Sequence, residues 1–145
     1  MGKVLILYAT QTGNTRDIAH LIAEGCRFAG CEATVKTIKD ISDPSELEQY
    51  DALFLGSATY NSIMMEDMAQ FLEIAYAANL SGKPGGAFGA YGWSGEAPDL
   101  IHKIMKDIFN MRMAGDSLRL KSAQLAGGMK MAQDYGRALA SKIAG

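Results

Sequence analysis

The first apolar stretch of the chain is unbroken from its second residue on: Lys3-Val4-Leu5-Ile6-Leu7-Tyr8-Ala9. A strand buried on both faces reads this way, because helices cover both sides of a parallel sheet. From about Asn14 to Ala29 the period changes. Ile18, Ile22, Cys26 and Ala29 recur at spacings of three and four, which predicts an amphipathic helix with Gly30 as its C-terminal stop. Ala33 to Ile38 alternates, as a strand with one wetter face does at a sheet edge. Asp43-Pro44-Ser45-Glu46 predicts a turn into a short helical piece, and Ala52 to Gly56 a second buried strand. A helix is expected from Glu66 to about Ala78, burying Met68, Phe71, Leu72 and Ala75. Gly85 to Tyr91 reads as a strand of small residues after the Ser81-Gly82-Lys83-Pro84 turn. Glu96 to about Met113 reads as helix, Leu118-Arg119-Leu120-Lys121 as an edge strand, and Leu125 to Ile143 as a closing helix.

Strands alternating with helices in this way predict an α/β fold, a parallel sheet with helices on both faces. Ligands in such sheets sit beyond the carboxyl ends of the strands. The loops of unusual composition, 10–15, 57–62 and 91–96, all follow predicted strands. They are expected to converge on one rim.

Composition narrows the class. A chain of 145 residues, 48% apolar and 21% charged, suits one globular domain spanning residues 1–145. No apolar run approaches the ~20 residues of a membrane span, and the chain enters a strand pattern at once instead of a signal peptide. A cytoplasmic protein is expected. The net charge of −2 supplies no basic footprint for nucleic acid. The two cysteines, Cys26 and Cys31, lack a second pair or histidine cluster for a zinc site and read as reduced thiols. His20 and His102 are isolated on predicted helices. Met64, Met65 and Met68 fit core filling better than a docking surface.

Candidate chemistry begins at the first loop. Thr10, Thr12, Asn14 and Thr15 surround Gly13 between a buried strand and a helix start, where backbone N–H groups have no intrahelical partners. Glycine lets a phosphate approach the backbone and the hydroxyls can donate to it. Threonine and asparagine also cap helices with no ligand, but four of them around one glycine favour an anion site. Other phosphate motifs are missing: there is no Gly-x-x-x-x-Gly-Lys-Ser/Thr, and no Gly-x-Gly-x-x-Gly after the first strand. Nor does a carboxylate stand at Gly56-Ser57, where a receiver domain would need its phosphoacceptor.

Ala9-Thr10-Gln11-Thr12-Gly13-Asn14-Thr15 resembles the FMN-phosphate signature of flavodoxins, and the strand–helix alternation extends the likeness over essentially the whole chain. Two further segments, Gly56 to Asn61 and Ala87 to Ala97, are similar to the flavodoxin-like domain of flavodiiron proteins. The diiron domain that those proteins also carry has no counterpart in these residues, so reduction of oxygen or nitric oxide by this chain alone is not expected. The resemblance implies a flavodoxin-like three-layer sandwich with a five-stranded parallel sheet in the order 2-1-3-4-5. The direct passage from last strand to last helix is similar to short-chain flavodoxins. By the same resemblance FMN is the cofactor, and its contacts are Thr10, Gln11, Thr12, Gly13, Asn14 and Thr15 on the first loop. Ser57, Ala58, Thr59, Tyr60 and Asn61 follow on the second, and Ala90, Tyr91, Gly92, Trp93, Gly95 and Glu96 on the third.

A flavin ring needs aromatic walls and backbone hydrogen bonds at its polar edge. Tyr60 and Trp93, the only tryptophan, can supply the walls, and the resemblance puts the peptide after Asn61 beside flavin N5. The function expected is a low-potential electron carrier working as a monomer between redox enzymes, with no catalytic residue, no metal and no membrane span. Two alternatives stay open. One is an FMN-dependent NAD(P)H or quinone reductase; the other is a separately encoded flavin module of a diiron or oxidase system.

Overall fold

The computed structural model describes residues 2–9, 13–60, 63–64, 66–90, 96–120 and 127–144. In chain order the elements are β1 (Lys3–Ala9), α1 (Gly13–Phe28), β2 (Glu32–Thr37), two short 3-10 turns (Ile38–Asp40 and Pro44–Gln49) and β3 (Ala52–Ser57). A two-residue pair β4 (Thr59–Tyr60) and β5 (Ile63–Met64) follows, then α2 (Glu66–Ala75), β6 (Pro84–Ala90) and α3 (Glu96–Asp107). The chain continues through β7 (Arg112–Met113), β8 (Leu118–Leu120) and α4 (Gly128–Ala144).

The main sheet is parallel throughout and runs β2-β1-β3-β6, with β7 and β8 both bonded to the outer edge of β6. Counted as one position, β7 and β8 complete the expected order 2-1-3-4-5. The unbroken apolar run of β1 is explained by its two faces. Val4 and Ile6 join Phe54, Phe88 and the inner sides of α1 and α4. Leu5 and Leu7 join Leu53, Leu55 and residues of α2 and α3. Among the described residues β2 bonds to β1 alone, and it is the half-exposed edge that its alternation predicted.

α1 presents Thr15, Ile18, Ala19, Ile22, Ala23 and Cys26 inward and stops where Gly30 takes φ +89. The Cys31 N–H then returns to the Cys26 carbonyl at 3.1 Å, a glycine-terminated helix end. The contact between α1 and α4 is unusually close. A Cβ on Gly25 would stand 1.9 Å from the Gln133 carbonyl oxygen, and one on Gly136 would stand 2.1 Å from that of Ile22. Cys26 and Cys31 are buried free thiols whose Sγ atoms approach the Gly136 and Ala140 carbonyls.

Several element ends differ from the sequence reading. α3 closes at Asp107, not near Met113, because Asn110 adopts φ +57 and the following backbone is drawn into the sheet. Arg112 N–H donates to Lys83 at 2.9 Å and Ala114 N–H to Gly85 at 2.9 Å. Those bonds create β7, which a helical spacing of apolar residues had concealed. α2 ends at Ala75 and tightens into single turns, with Ala77 bonded to Ile74 and Ala78 to Ala75. α4 begins at Gly128; Leu125 and Ala126 lie outside the described residues. Met68 is fully buried, as core filling requires, while Met65 lies outside the described residues. Among the described residues, no helix is long and apolar enough to cross a membrane.

Candidate functional site

The three candidate loops leave one edge of the sheet. Ala9, the last residue of β1, pairs with Ser57, the last of β3. Gly56 pairs with Phe88, which brings Gly89 beside Ser57 and Ala90 to the same rim. Bare backbone is needed there: a Cβ on Gly89 would meet the Ser57 carbonyl oxygen at 2.1 Å and Pro98 Cγ at 3.1 Å. The missing side chain therefore lets β3, β6 and the first turn of α3 close together.

Of the phosphate-loop candidates, Thr10, Gln11 and Thr12 lie outside the described residues. Gly13 opens α1, Asn14 is exposed, and Thr15 is fully buried. The Thr15 Oγ1 accepts the Ala90 N–H at 3.3 Å across 75 residues of chain. This bond fastens the start of α1 to the end of β6. The first turn of α1 carries no acidic residue, which suits an anion at the positive end of the helix dipole. Arg16 follows, 3.8 Å from Asp17.

In the second loop, Ser57 is fully buried and its Oγ donates to the Ala58 carbonyl at 2.9 Å. Thr59 and Tyr60 pair antiparallel with Met64 and Ile63. Asn61 lies outside the described residues. In the third loop, Ala90 is buried, Tyr91, Gly92, Trp93 and Gly95 lie outside the described residues, and Glu96 is exposed at the head of α3. Asp99, one turn into α3, is held by Ser117 Oγ and by Arg119 at 3.5 Å. Glu66, Asp67 and Glu96 stay exposed and give the rim a local negative charge.

These residues fit an FMN phosphate at the α1 end. A buried hydroxyl, a glycine and an acid-free helix start are the donor set that a phosphate monoester needs. Among the described residues, no group of His, Cys, Asp and Glu side chains could hold a metal. A groove of about 460 Å³, lined by Leu72, Tyr76, Ile104, Ile108 and Phe109, opens between α2 and α3. It is apolar and faces the other end of the sheet, away from the three loops.

Two residues that support the end of the sheet carry little signal in the sequence. Gly89 is one of several small residues in β6 and only the paired register singles it out. Tyr135, on α4, bonds through its hydroxyl to both the N–H and the carbonyl of Ala87, at 3.0 and 3.1 Å. A tyrosine on the inner side of the last helix was its only signal.

The protein-family model described as Flavodoxin matches residues 6–135. Diflavin flavoprotein A 4 of Synechocystis sp. is 38% identical over 110 residues, which cover 72% of this chain and 18% of that protein. The anaerobic nitric oxide reductase flavorubredoxin of Aliivibrio fischeri is 30% identical over 147 residues, covering 98% of this chain and 29% of that protein. The chain thus spans less than a third of either relative. Among solved structures, a flavodoxin from the domain Archaea superposes with a TM-score of 0.92 at 30% identity, covering 99% of both chains.

Proposed function

The chain belongs to the flavodoxin family, and from that premise we propose that it binds one FMN at the β1, β3 and β6 rim and carries electrons between redox proteins. The observation that supports this most directly is the bond from Ala90 to the buried Thr15. It ties the loop suited to a phosphate to the strand that leads into the loop carrying Trp93. A ligand with an anionic tail and a flat aromatic head matches that pairing.

In this reading residues 1–145 act as one FMN-binding unit. Thr10, Gln11, Thr12, Gly13, Asn14 and Thr15 hold the phosphate through neutral donors. Ser57 to Asn61, with Ala90 to Gly92, present backbone groups to the polar edge of the ring, and Tyr60 and Trp93 cover its faces. Gly95 and Glu96 close the third loop. FMN, when bound, supplies the one-electron chemistry; the chain supplies binding, orientation and exclusion of water. Glu66, Asp67 and Glu96 give partners a negative rim to approach, which suits basic redox proteins. We place the protein in the cytoplasm as a monomer, a setting in which the buried thiols Cys26 and Cys31 stay reduced.

The test is a visible spectrum of the purified protein, followed by addition of NADH or NADPH with a quinone. A yellow protein without turnover is expected. Rapid turnover would favour an FMN-dependent reductase instead, and a protein that takes up no FMN would defeat both. A second reading has specific support in the relatives, of which this chain matches only one segment. In that reading this chain is a separately encoded flavin module that delivers electrons to a diiron or other oxidase partner. Electron delivery to a diiron partner, measured against delivery to unrelated acceptors, separates the two readings.

A further inference from the structure

Three cationic side chains meet at the end of the sheet opposite the rim. A hollow of about 370 Å³ opens beside the amino ends of β3, β6 and β7, and its walls include Asp51, Ser81, Lys83, Arg112 and Lys142. β6 is seven residues long, which puts roughly 20 Å between this hollow and the rim. The chain as a whole carries a net charge of −2, yet these walls hold three cations against one carboxylate. Among the described residues, the ion pairs involve Arg16, Arg119 and Lys130, and none of the three wall cations. The carboxylate is itself engaged, since Asp51 Oδ2 accepts the Lys3 N–H at 2.8 Å.

Two of the cations are held in place by backbone. Lys83 Nζ donates to the Glu48 and Tyr50 carbonyls at 2.9 and 2.6 Å, which leaves one of its three protons. Arg112 Nε donates to the Gly82 carbonyl at 2.7 Å, leaving four guanidinium N–H groups for parallel bonds to an oxyanion. Lys142 reaches the hollow from the last turn of α4. Like charges gathered in one hollow repel, and an anion seated among them reverses the sign of that interaction. Lys83 and Arg112 are already ordered, so binding loses little of their side-chain freedom. From this geometry we propose that the hollow binds the dianionic phosphate group of a small molecule, with Arg112, Lys83 and Lys142 as its charge partners and Ser81 as a neutral donor. The site is separate from the first loop and does not depend on the FMN reading.

The experiment is an NMR titration of FMN-saturated protein at about pH 8, where phosphate is dianionic. Inorganic phosphate and AMP are each compared with chloride at equal ionic strength, on the wild type, Arg112→Gln and Lys142→Gln. Saturable shifts are expected at the amides of Ser81, Gly82 and Arg112, with those of Asn14 and Thr15 unmoved, and each variant should bind about tenfold more weakly. Equal affinity for phosphate and AMP shows that the bare group is read; tighter binding of AMP shows that the rest of the hollow holds the ester. A second measurement needs no variant. Lys83, Arg112 and Lys142 come from three separate stretches of chain, so a ligand that joins them should raise the wild-type Tm, as chloride should not. Shifts that stay linear, shifts or a Tm rise that chloride reproduces, or wild-type affinity in folded Arg112→Gln and Lys142→Gln overturn the proposal. A protein that takes up no FMN defeats the FMN reading alone, and the shifts at Ser81, Gly82 and Arg112 then decide the proposal on the protein as isolated.

Discussion

The Tyr135 hydroxyl donates to the Ala87 carbonyl at 3.1 Å and accepts the Ala87 N–H at 3.0 Å. Ala87 pairs with Leu55 of β3 on its inner side; among the described residues no strand flanks it on the outer edge of β6, between the residues paired with β7 at Pro84 and Gly85 and those paired with β8 from Phe88 onward. One phenol thus stands in for the missing backbone of the outer strand, and its ring packs edge-on against Phe54 with centroids 5.4 Å apart. Tyr135→Phe keeps the ring and strips both bonds. Unfolding in denaturant should report a loss of about 1–3 kcal/mol. A loss below a few tenths of a kcal/mol would mean that water or a shifted strand satisfies Ala87 equally well.

Much of this architecture can be read from the chain because burial dictates it. Val4 and Ile6 face one helical layer while Leu5 and Leu7 face the other, so both faces of β1 must be apolar, and a continuous apolar run is the only pattern that satisfies both. The candidate phosphate loop stands out in the sequence for a local reason: hydroxyls and a glycine at a helix start act within a few residues of one another. β7 is not legible, since Arg112 and Met113 become a strand only through bonds to Lys83 and Gly85. The Thr15 to Ala90 bond is hidden for the same reason. Its two residues are 75 positions apart, and nothing in either neighbourhood names the other. Gly25 and Gly136 look like helix-weakening residues until the helices are brought together.

Those two glycines set how closely α1 and α4 approach. Alanine is the better helix former by about 1 kcal/mol, so an isolated helix would gain from either replacement. In the folded protein the added Cβ meets backbone carbonyl oxygens at 1.9 Å for Gly25 and 2.1 Å for Gly136, and backbone cannot swing aside as a side chain can. Sterics should win. Gly25→Ala and Gly136→Ala are each expected to cost about 1–3 kcal/mol or more, seen as a lowered Tm. An unchanged or raised Tm for either would show that the helices separate at no cost.

Burial pushes the Cys26 thiol up from 9.0 to about 12, with the neighbouring Cys31 adding to the rise and Arg27 opposing it. A folded pKa above the unfolded one means that the native state favours the protonated thiol. The associated stability is complete below pH 9 and is lost as pH climbs toward 12. Burial raises the Tyr135 phenol as well, and its contribution fails in the same direction. Tm should therefore fall steadily above pH 9, more steeply than in Cys26→Ala. Native protein near neutral pH should resist thiol alkylation at Cys26, because the reactive thiolate is almost absent and shielded. Fast modification at pH 7 in the folded state would contradict this burial.

Gly89 links packing to the proposed flavin site. Its missing side chain lets the Ser57 carbonyl and Pro98 approach the end of β6, one residue before the Ala90 that Thr15 holds. Gly89→Ala would put a methyl group 2.1 Å from the Ser57 carbonyl oxygen, a contact relieved only by moving β3 and β6 apart at their carboxyl ends or by pushing α3 outward. Either movement widens the rim at which the second and third loops begin, while the α1–α4 side of the sheet is left in place. The expected result is a folded protein that binds both riboflavin and FMN at least tenfold more weakly, roughly the effect of losing one well-placed contact. Stability should fall by about 1–3 kcal/mol. Wild-type affinity for both flavins with only the stability reduced would separate rim spacing from ring binding and place the ring contacts on the loops alone.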